Sequence, residues 1–162
     1  MPGAAVPKYY WEDFAPGHVA EYGTYEVSAE EIKAFAAEFD PQPMHLDEEA
    51  ARASIVGGLC ASGWHSCAIM MRILADGFVL DSASMGATGC PEVKWIAPVR
   101  PGDRLRVRVK VLDTRASRSR PEMGFVNARF DMLNAADLPV MTVTSHMMLE
   151  RRPTDGEAAG RA

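Results

Sequence analysis

Strict alternation of apolar and polar positions is the clearest pattern in the chain, and it is concentrated in the second half. The segment 104–112, RLRVRVKVL, places four aliphatic side chains on one face and four basic side chains on the other. The aliphatic face carries Leu105, Val107, Val109 and Val111. Because successive side chains of a strand point to opposite faces, this segment is predicted to be an antiparallel strand with one buried face. Further strands are predicted over 18–27, 92–96, 125–133 and 140–149.

The first half of the chain shows helical periodicity instead. Ser28 and Glu31 have the spacing of a capping box, in which each side chain bonds a backbone N–H of the first turn. One apolar helix face follows, made of Ile32, Phe35, Ala36 and Phe39. Pro41 cannot continue a helix, so this helix is predicted to end at Phe39 or Asp40. A short helix is predicted over 47–52, with acidic residues in its first turn.

The segment 61–77 predicts a longer helix of a different character. It contains no proline, and Gly77 is suited to a C-terminal cap. Its apolar residues cover nearly the whole circumference, and such a helix belongs in a core where another element wraps it. A sheet with one apolar face should pack around this helix. The expected fold class is therefore α+β, with an antiparallel sheet around a long buried helix.

Composition narrows the class of protein. The chain has 162 residues, of which 48% are hydrophobic and 24% charged, and these values fit one globular domain. Its net charge of −5 argues against nucleic acid as a partner. We see neither a basic leader nor an apolar run of the ~20 residues that cross a bilayer, so we expect a cytoplasmic protein with no membrane partner. The polar ends, 1–8 and 152–162, are predicted to be disordered or flexible.

The segment 40–47, DPQPMHLD, is the first candidate for chemistry. It follows a predicted helix end and contains two prolines, so it should be a stiff turn that holds side chains at fixed separation. From such a turn the carboxylate of Asp40 and the imidazole of His45 can converge on one water molecule. An alternative stays open, in which Asp40 caps the turn and His45 is a structural hydrogen-bonding group.

The segment 57–64, GGLCASGW, is the second candidate. Glycines that open a buried helix allow close backbone approach, and the free N–H groups there can stabilise an oxyanion. The alternative is an ordinary loop followed by an N-cap. Nucleotide-loop motifs are absent, and Ser62 has no GxSxG context of a serine hydrolase. Cys60, His65 and Cys67 lack a second spaced pair, so we expect no metal.

Taken together, these residues resemble the MaoC-like dehydratases of the hotdog superfamily, which include (R)-specific enoyl-CoA hydratases. The resemblance covers about residues 9–151, and it follows the order of helix, D-x4-H turn, glycine-rich entry, buried helix and strands. The matching positions are Asp40, Pro43, His45, Asp47, Ala51, Ala61, Ser62, Gly63 and the segment 98–103, PVRPGD. The resemblance implies one hotdog domain over 9–151 that pairs with a second copy into a homodimer or higher homo-oligomer.

The resemblance also implies an activity. In this family the aspartate and histidine of the turn orient water for addition to, or loss from, a 2-enoyl thioester, and these roles fall on Asp40 and His45. The backbone N–H of Gly63 would polarise the thioester carbonyl, and Ser62 and Gln42 would complete the substrate-binding site. The implied substrate is an acyl-CoA, and no cofactor is implied.

Three positions depart from the family pattern. Phe39 stands where the family usually has glycine before the aspartate, and Gln42 stands where it usually has asparagine. Ser62 stands where histidine often precedes the helix glycine. These changes leave the acid–base pair intact but bear on which acyl group is preferred.

Two other functions are compatible with the same fold. Acyl-CoA thioesterases of this fold often place a carboxylate on the central helix, whereas the first carboxylate after Gly63 is Asp76, at the far end. A non-catalytic acyl-CoA-binding protein is the second alternative, because fold alone does not fix function.

Overall fold

The predicted strands form one antiparallel sheet in the computed structural model, which describes residues 6–154. Six strands are present in this part of the chain. They are β1 (Val19–Glu26), β2 (Ser84–Ala87), β3 (Glu92–Trp95), β4 (Arg104–Ala116), β5 (Met123–Leu133) and β6 (Pro139–Glu150). The order across the sheet is β1-β4-β5-β6, and both β2 and β3 pair with β6 at its other side. The sheet therefore ends in β1 at one edge and in two short strands at the other.

Four α-helices lie on one side of this sheet in the described residues. They are α1 (Ala29–Phe39), α2 (Pro43–Leu46), α3 (Glu48–Ala53) and α4 (Gly63–Leu74). The predicted aliphatic face of β4 is buried at all four positions, and it joins Ile69 and Ile73 of α4 in one hydrophobic core. This packing confirms the α+β hotdog architecture, a sheet wrapped around a central helix.

The C-terminal end of the central helix differs from the prediction. The α-helix ends at Leu74 and continues as a π-helical turn over Ala75–Val79, so Gly77 lies inside this turn and is not a C-terminal cap. A Cβ atom at Gly77 would lie 2.7 Å from the ring of Tyr22. Glycine is needed there because β1 packs directly against the turn.

The central helix is also less enclosed than its composition indicates. Trp64 is 62% exposed and Met71 is 49% exposed, so one side of α4 is open in the single chain. The prediction of a helix wrapped all round is wrong for this side. Burial within the single chain does not account for the apolar residues on this side.

Local details of the first half follow the sequence only in part. Ser28 accepts a hydrogen bond from the Glu31 N–H, as predicted. The other half of the capping box is wrong, because the Glu31 carboxylate accepts from the Tyr25 hydroxyl instead, at 3.1 Å. The sequence analysis also missed β2, a short strand that contains a glycine and has no clear alternation.

Residues 1–5 and 155–162, which belong to the predicted flexible ends, lie outside the described residues. The neighbouring residues contact the domain. The backbone N–H of Lys8 donates to the Asp81 carbonyl at 2.7 Å, and the backbone N–H of Arg152 donates to the Glu12 carboxylate at 2.9 Å. Between residues 6 and 154, no helix is both long and apolar enough to cross a membrane.

Candidate active site

Two prolines place Asp40 and His45 on short, rigid stretches of backbone. Asp40 is the C-terminal cap of α1, and its N–H still donates to the Ala36 carbonyl. Pro41 prevents the helix from continuing. Pro43 then begins α2, where a missing N–H costs nothing, and His45 lies in this single helical turn. The predicted stiff turn is thus a helix end followed directly by a new helix.

The two side chains face each other at a defined separation. The Nε2 atom of His45 lies 3.6 Å from Oδ2 of Asp40. On the other side of the ring, Nδ1 lies 2.8 Å from the Cys60 carbonyl oxygen. Because a carbonyl only accepts, Nδ1 carries a proton, and in the neutral tautomer the lone pair of Nε2 faces Asp40. His45 is buried, so its ring orientation is fixed.

The carboxylate of Asp40 is held by two donors. The Ser62 hydroxyl donates to Oδ2 at 2.6 Å, and the Gln42 amide donates to Oδ1 at 2.7 Å. These two hydrogen bonds, that of Ser62 first, lower the pKa of Asp40 more than partial burial raises it, and positive charge on the nearby His45 ring lowers it further. Asp40 is therefore ionised at neutral pH. In this structure Gln42 and Ser62, expected at the substrate, hold the carboxylate.

Gly63 begins the central helix directly beside this pair. The Ser62 hydroxyl accepts from the Trp64 N–H at 3.2 Å and caps the helix. The Gly63 N–H has no acceptor among residues 6–154, and it points out of the positive end of a twelve-residue helix. A Cβ atom at Gly63 would lie 2.5 Å from the indole of Trp95, whose Nε1–H donates to the Gly63 carbonyl. Glycine is thus required by the indole that packs on it.

These groups line one cleft of about 420 Å³, here called the acid–base cleft. Asp40, Gln42, His45 and Gly63 border it, so four of the five predicted site residues lie together. Ser62 does not line the cleft but bonds to Asp40 from behind it. The acid–base cleft can hold a small molecule between an ionised carboxylate, an imidazole lone pair and a free backbone donor. This arrangement suits the addition of water beside a developing negative charge.

A second cavity of about 360 Å³ lies beside α4 and is here called the apolar cavity. Trp64 borders both this cavity and the acid–base cleft, so the two spaces are neighbours. None of the described side chains that line the apolar cavity is a carboxylate, an imidazole or a basic group. The apolar cavity therefore suits an uncharged hydrocarbon group.

Other candidate residues lie away from the acid–base cleft. The ring of His65 stacks on Phe35, with centroids 4.6 Å apart, and its Nε2 lies 3.6 Å from the Glu31 carboxylate. Asp76 pairs with Arg72 at 2.8 Å at the far end of α4. In residues 6–154 no group of three His, Cys, Asp or Glu side chains is placed to hold a metal ion.

The sequence analysis missed two groups that shape the site. The Cys60 carbonyl orients His45, and no side-chain pattern can reveal a backbone acceptor. Trp95 packs on Gly63 from the end of β3. A tryptophan within a predicted strand and a glycine at a helix entry are both visible in the sequence, but their contact is a tertiary one.

Comparisons with known proteins identify the family of this chain. A model of the MaoC-like domain family matches residues 13–129. YdeM, an uncharacterized protein of Bacillus subtilis strain 168, is 33% identical over 141 residues, which cover 86% of this chain and 98% of YdeM.

Two solved structures are also similar. A MaoC-like dehydratase from Rhodospirillum rubrum is 44% identical, with a TM-score of 0.84 over 90% of this chain and 99% of that chain. An R-hydratase from Pseudomonas aeruginosa in the unliganded form is 23% identical, with a TM-score of 0.69 over 88% of this chain and 86% of that chain. At that identity the second comparison shows the shared fold.

Proposed function

Because the chain belongs to the MaoC-like dehydratase family, we propose that it reversibly adds water to a 2-enoyl-CoA and forms a (R)-3-hydroxyacyl-CoA. One observation carries this proposal. The ionised carboxylate of Asp40, the free Nε2 of His45 and the free N–H of Gly63 border the same cleft. Hydration of a conjugated thioester requires a base for water, a charge that stabilises the protonated base and a donor for the enolate oxygen. His45, Asp40 and Gly63 supply these in turn.

The proposed reaction begins with one water molecule held between Asp40 and His45. As the water oxygen bonds to C3 of the substrate, His45 Nε2 takes one of its protons, and the pair of electrons of the double bond moves onto the thioester oxygen. The Gly63 N–H stabilises the resulting enolate oxygen. The ionised Asp40 stabilises the imidazolium, which then gives its proton to C2 and restores the thioester carbonyl.

The reaction adds the hydroxyl of water to C3 and a proton to C2 without oxidant or reductant, so it requires no cofactor. The hydroxyl and the new hydrogen come from the same side of the double bond, which makes the addition syn. The (R) configuration at C3 is proposed because the fold is shared with an R-hydratase. The hydrocarbon tail of the substrate extends past Trp64 into the apolar cavity, and the enzyme acts in the cytoplasm as a homodimer.

Mass spectrometry of thioester mixtures tests the activity. The protein is incubated separately with 2-enoyl-CoA and with 3-hydroxyacyl-CoA, and we expect each to be converted towards the other by gain or loss of one water. Release of free CoA would identify a thioesterase instead. Saturable binding without any change of mass would identify a binding protein. Reaction in deuterated water then gives the alcohol configuration and the face that receives deuterium. An anti product would contradict one shared water, and an (S) alcohol would contradict the proposed (R) product.

Three variants test the residues. Asp40→Asn and His45→Ala should each lower kcat by at least ~10²-fold, the loss expected when an acid or base is removed. Asp47→Asn is the matched control, because Asp47 caps α3 through the Ala50 N–H and asparagine caps helices equally well. Equal losses in all three variants would favour the alternative in which Asp40 only stabilises the turn.

A further inference from the structure

One of the side chains that line the apolar cavity, Phe78, also lines a second space. Only 3% of Phe78 is exposed to solvent. It lines the apolar cavity on one side and a third cavity, of about 370 Å³, on the other. In the described part of the chain it is the residue that these two cavities share. Phe78 is therefore a partition between two spaces that are otherwise built from different residues.

The partition is supported from the side of the third cavity. The ring of Phe78 lies 5.1 Å from that of Tyr22 and 5.9 Å from that of Phe14, measured between centroids. Both of these rings line the third cavity and neither lines the apolar cavity. Phe78 lies in the π-helical turn that follows α4, a rare geometry that often accompanies functional sites. The turn thus places the ring where it borders both cavities.

We propose that Phe78 sets the maximum length of the acyl chain that the enzyme accepts. The inference rests on the proposed function, in which the acyl chain runs from the acid–base cleft past Trp64 into the apolar cavity. A straight hydrocarbon fits this uncharged cavity until its end meets the Phe78 ring. Removal of the ring would join the apolar cavity to a third cavity of similar volume. The third cavity is lined in part by Lys8, Asp13 and His18, so the added length is limited to a few carbons.

The test compares kcat/KM across a series of straight-chain 2-enoyl-CoA substrates in the wild type, Phe78→Ala and Phe78→Leu. For the wild type we expect a sharp fall beyond one chain length. In the Phe78 variants this fall in kcat/KM should occur at an acyl chain at least two carbons longer. Each buried methylene is worth about fourfold, so two more buried carbons should raise kcat/KM for the first substrate that the wild type rejects by about fifteenfold. Phe78→Leu keeps a branched apolar side chain in the core, and it provides the test if the alanine variant does not fold.

Phe14→Leu is the matched control, because it also removes an aromatic ring but enlarges only the third cavity. Its chain-length limit should equal that of the wild type. An unchanged limit in the folded Phe78 variants, an equal shift in Phe14→Leu, or a wild type that shows no limit would each overturn the role of Phe78.

Calorimetric binding of saturated acyl-CoA to the same proteins separates this inference from the proposed activity. The affinity for saturated acyl-CoA should show the same chain-length limits as kcat/KM, because binding requires space for the acyl chain but no reaction. A shifted binding limit without hydration by any of the proteins would support Phe78 and refute the hydratase. Hydration with an unshifted limit would refute only the role of Phe78.

Discussion

Ser62 connects the ionisation of one residue with the capping of a helix. Its hydroxyl donates to Asp40 and accepts from the Trp64 N–H, so one buried group serves both the acid–base pair and the start of α4. It is the largest cause of the lowered pKa of Asp40, ahead of Gln42. The ionisation of the carboxylate therefore depends on neighbours that are themselves fixed by the helix entry.

Replacement of Ser62 by alanine should raise the pKa of Asp40. If ionised Asp40 is required for hydration, kcat/KM falls as the pH drops through that pKa, and the acid limb of the profile should move to higher pH in Ser62→Ala. Gln42→Ala should move it in the same direction by a smaller amount. Ser66→Ala is the control, because its hydroxyl donates to the Ser62 carbonyl and not to Asp40. An acid limb that stays in place in Ser62→Ala would show that Asp40 does not control activity.

The role of the Gly63 N–H can be separated from that of its small size. Proline is well tolerated at the first position of a helix, and it lacks the N–H. Both Gly63→Ala and Gly63→Pro must displace the Trp95 indole, but only Gly63→Pro removes the donor. We expect kcat of Gly63→Pro to be lower than that of Gly63→Ala by ~10²-fold or more, the loss typical of an oxyanion donor. Equal kcat values in the two folded variants would remove this role from the N–H.

How much of the site the sequence predicts depends on the range of each contact. Asp40 and His45 are five positions apart on a proline-stiffened stretch, so their convergence is local and predictable. The bond from Ser62 to Asp40 spans 22 positions, and that from the Trp95 indole to Gly63 spans 32. Such contacts depend on how the central helix is seated in the sheet, which no local pattern specifies.

At the scale of elements, α1 and α4 meet through a buried histidine. His65 of α4 stacks on Phe35 of α1 and lies near Glu31, and its Nδ1 is buried without a partner among residues 6–154. Burial lowers the pKa of His65, and Glu31 offsets only part of this effect. The histidine is thus more readily protonated in the unfolded chain than in the folded domain.

This difference predicts how stability depends on pH. Below the ordinary histidine pKa of about 6.5, the unfolded state takes up a proton that folded His65 resists, so the free energy of unfolding falls. His65→Phe keeps the stacked ring and removes the titration. Urea unfolding at pH 7.5 and at pH 5.5 should show a smaller loss of stability for the variant than for the wild type. The same loss in both proteins would mean that His65 is not the group responsible.

The elements themselves were predicted where their periodicity was strong. Strand β4 has a regular alternation of apolar and polar residues, and helix α1 has a regular helical periodicity. Both elements are present in the structure. Strand β2 is four residues long and is specified by its pairing with β6, so its own sequence says little. The π-helical turn was read as a helix end, because Gly77 fits a cap as well as it fits a close contact with Tyr22.

At the scale of the whole molecule, one side of the single chain presents apolar surface that the domain does not cover. Trp64 and Met71 of α4 are exposed, as are Trp95 and Ile96 at the edge formed by β3. Trp64 and Trp95 contact each other with ring centroids 5.5 Å apart, which makes this one continuous patch. An open strand edge next to an apolar patch favours pairing with another chain. The apolar circumference of the helix in the sequence indicates that all its sides are buried. The structure locates the side that the sheet leaves exposed.

A second copy of the chain is the cover that we expect, with the β3 edge and the open side of α4 in the interface. Light scattering should therefore give a mass of twice the 17.7 kDa of one chain at micromolar concentration. Ile96→Lys puts a charge into the expected interface and should shift the protein towards the monomer. Val19→Lys makes the same change at an exposed aliphatic residue of β1, the opposite edge of the sheet, and should leave the dimer intact. A fully active wild-type monomer would refute the dimer. Dissociation by Val19→Lys alone would place the interface at β1, because only the edge that is paired between chains is sensitive to a new buried charge.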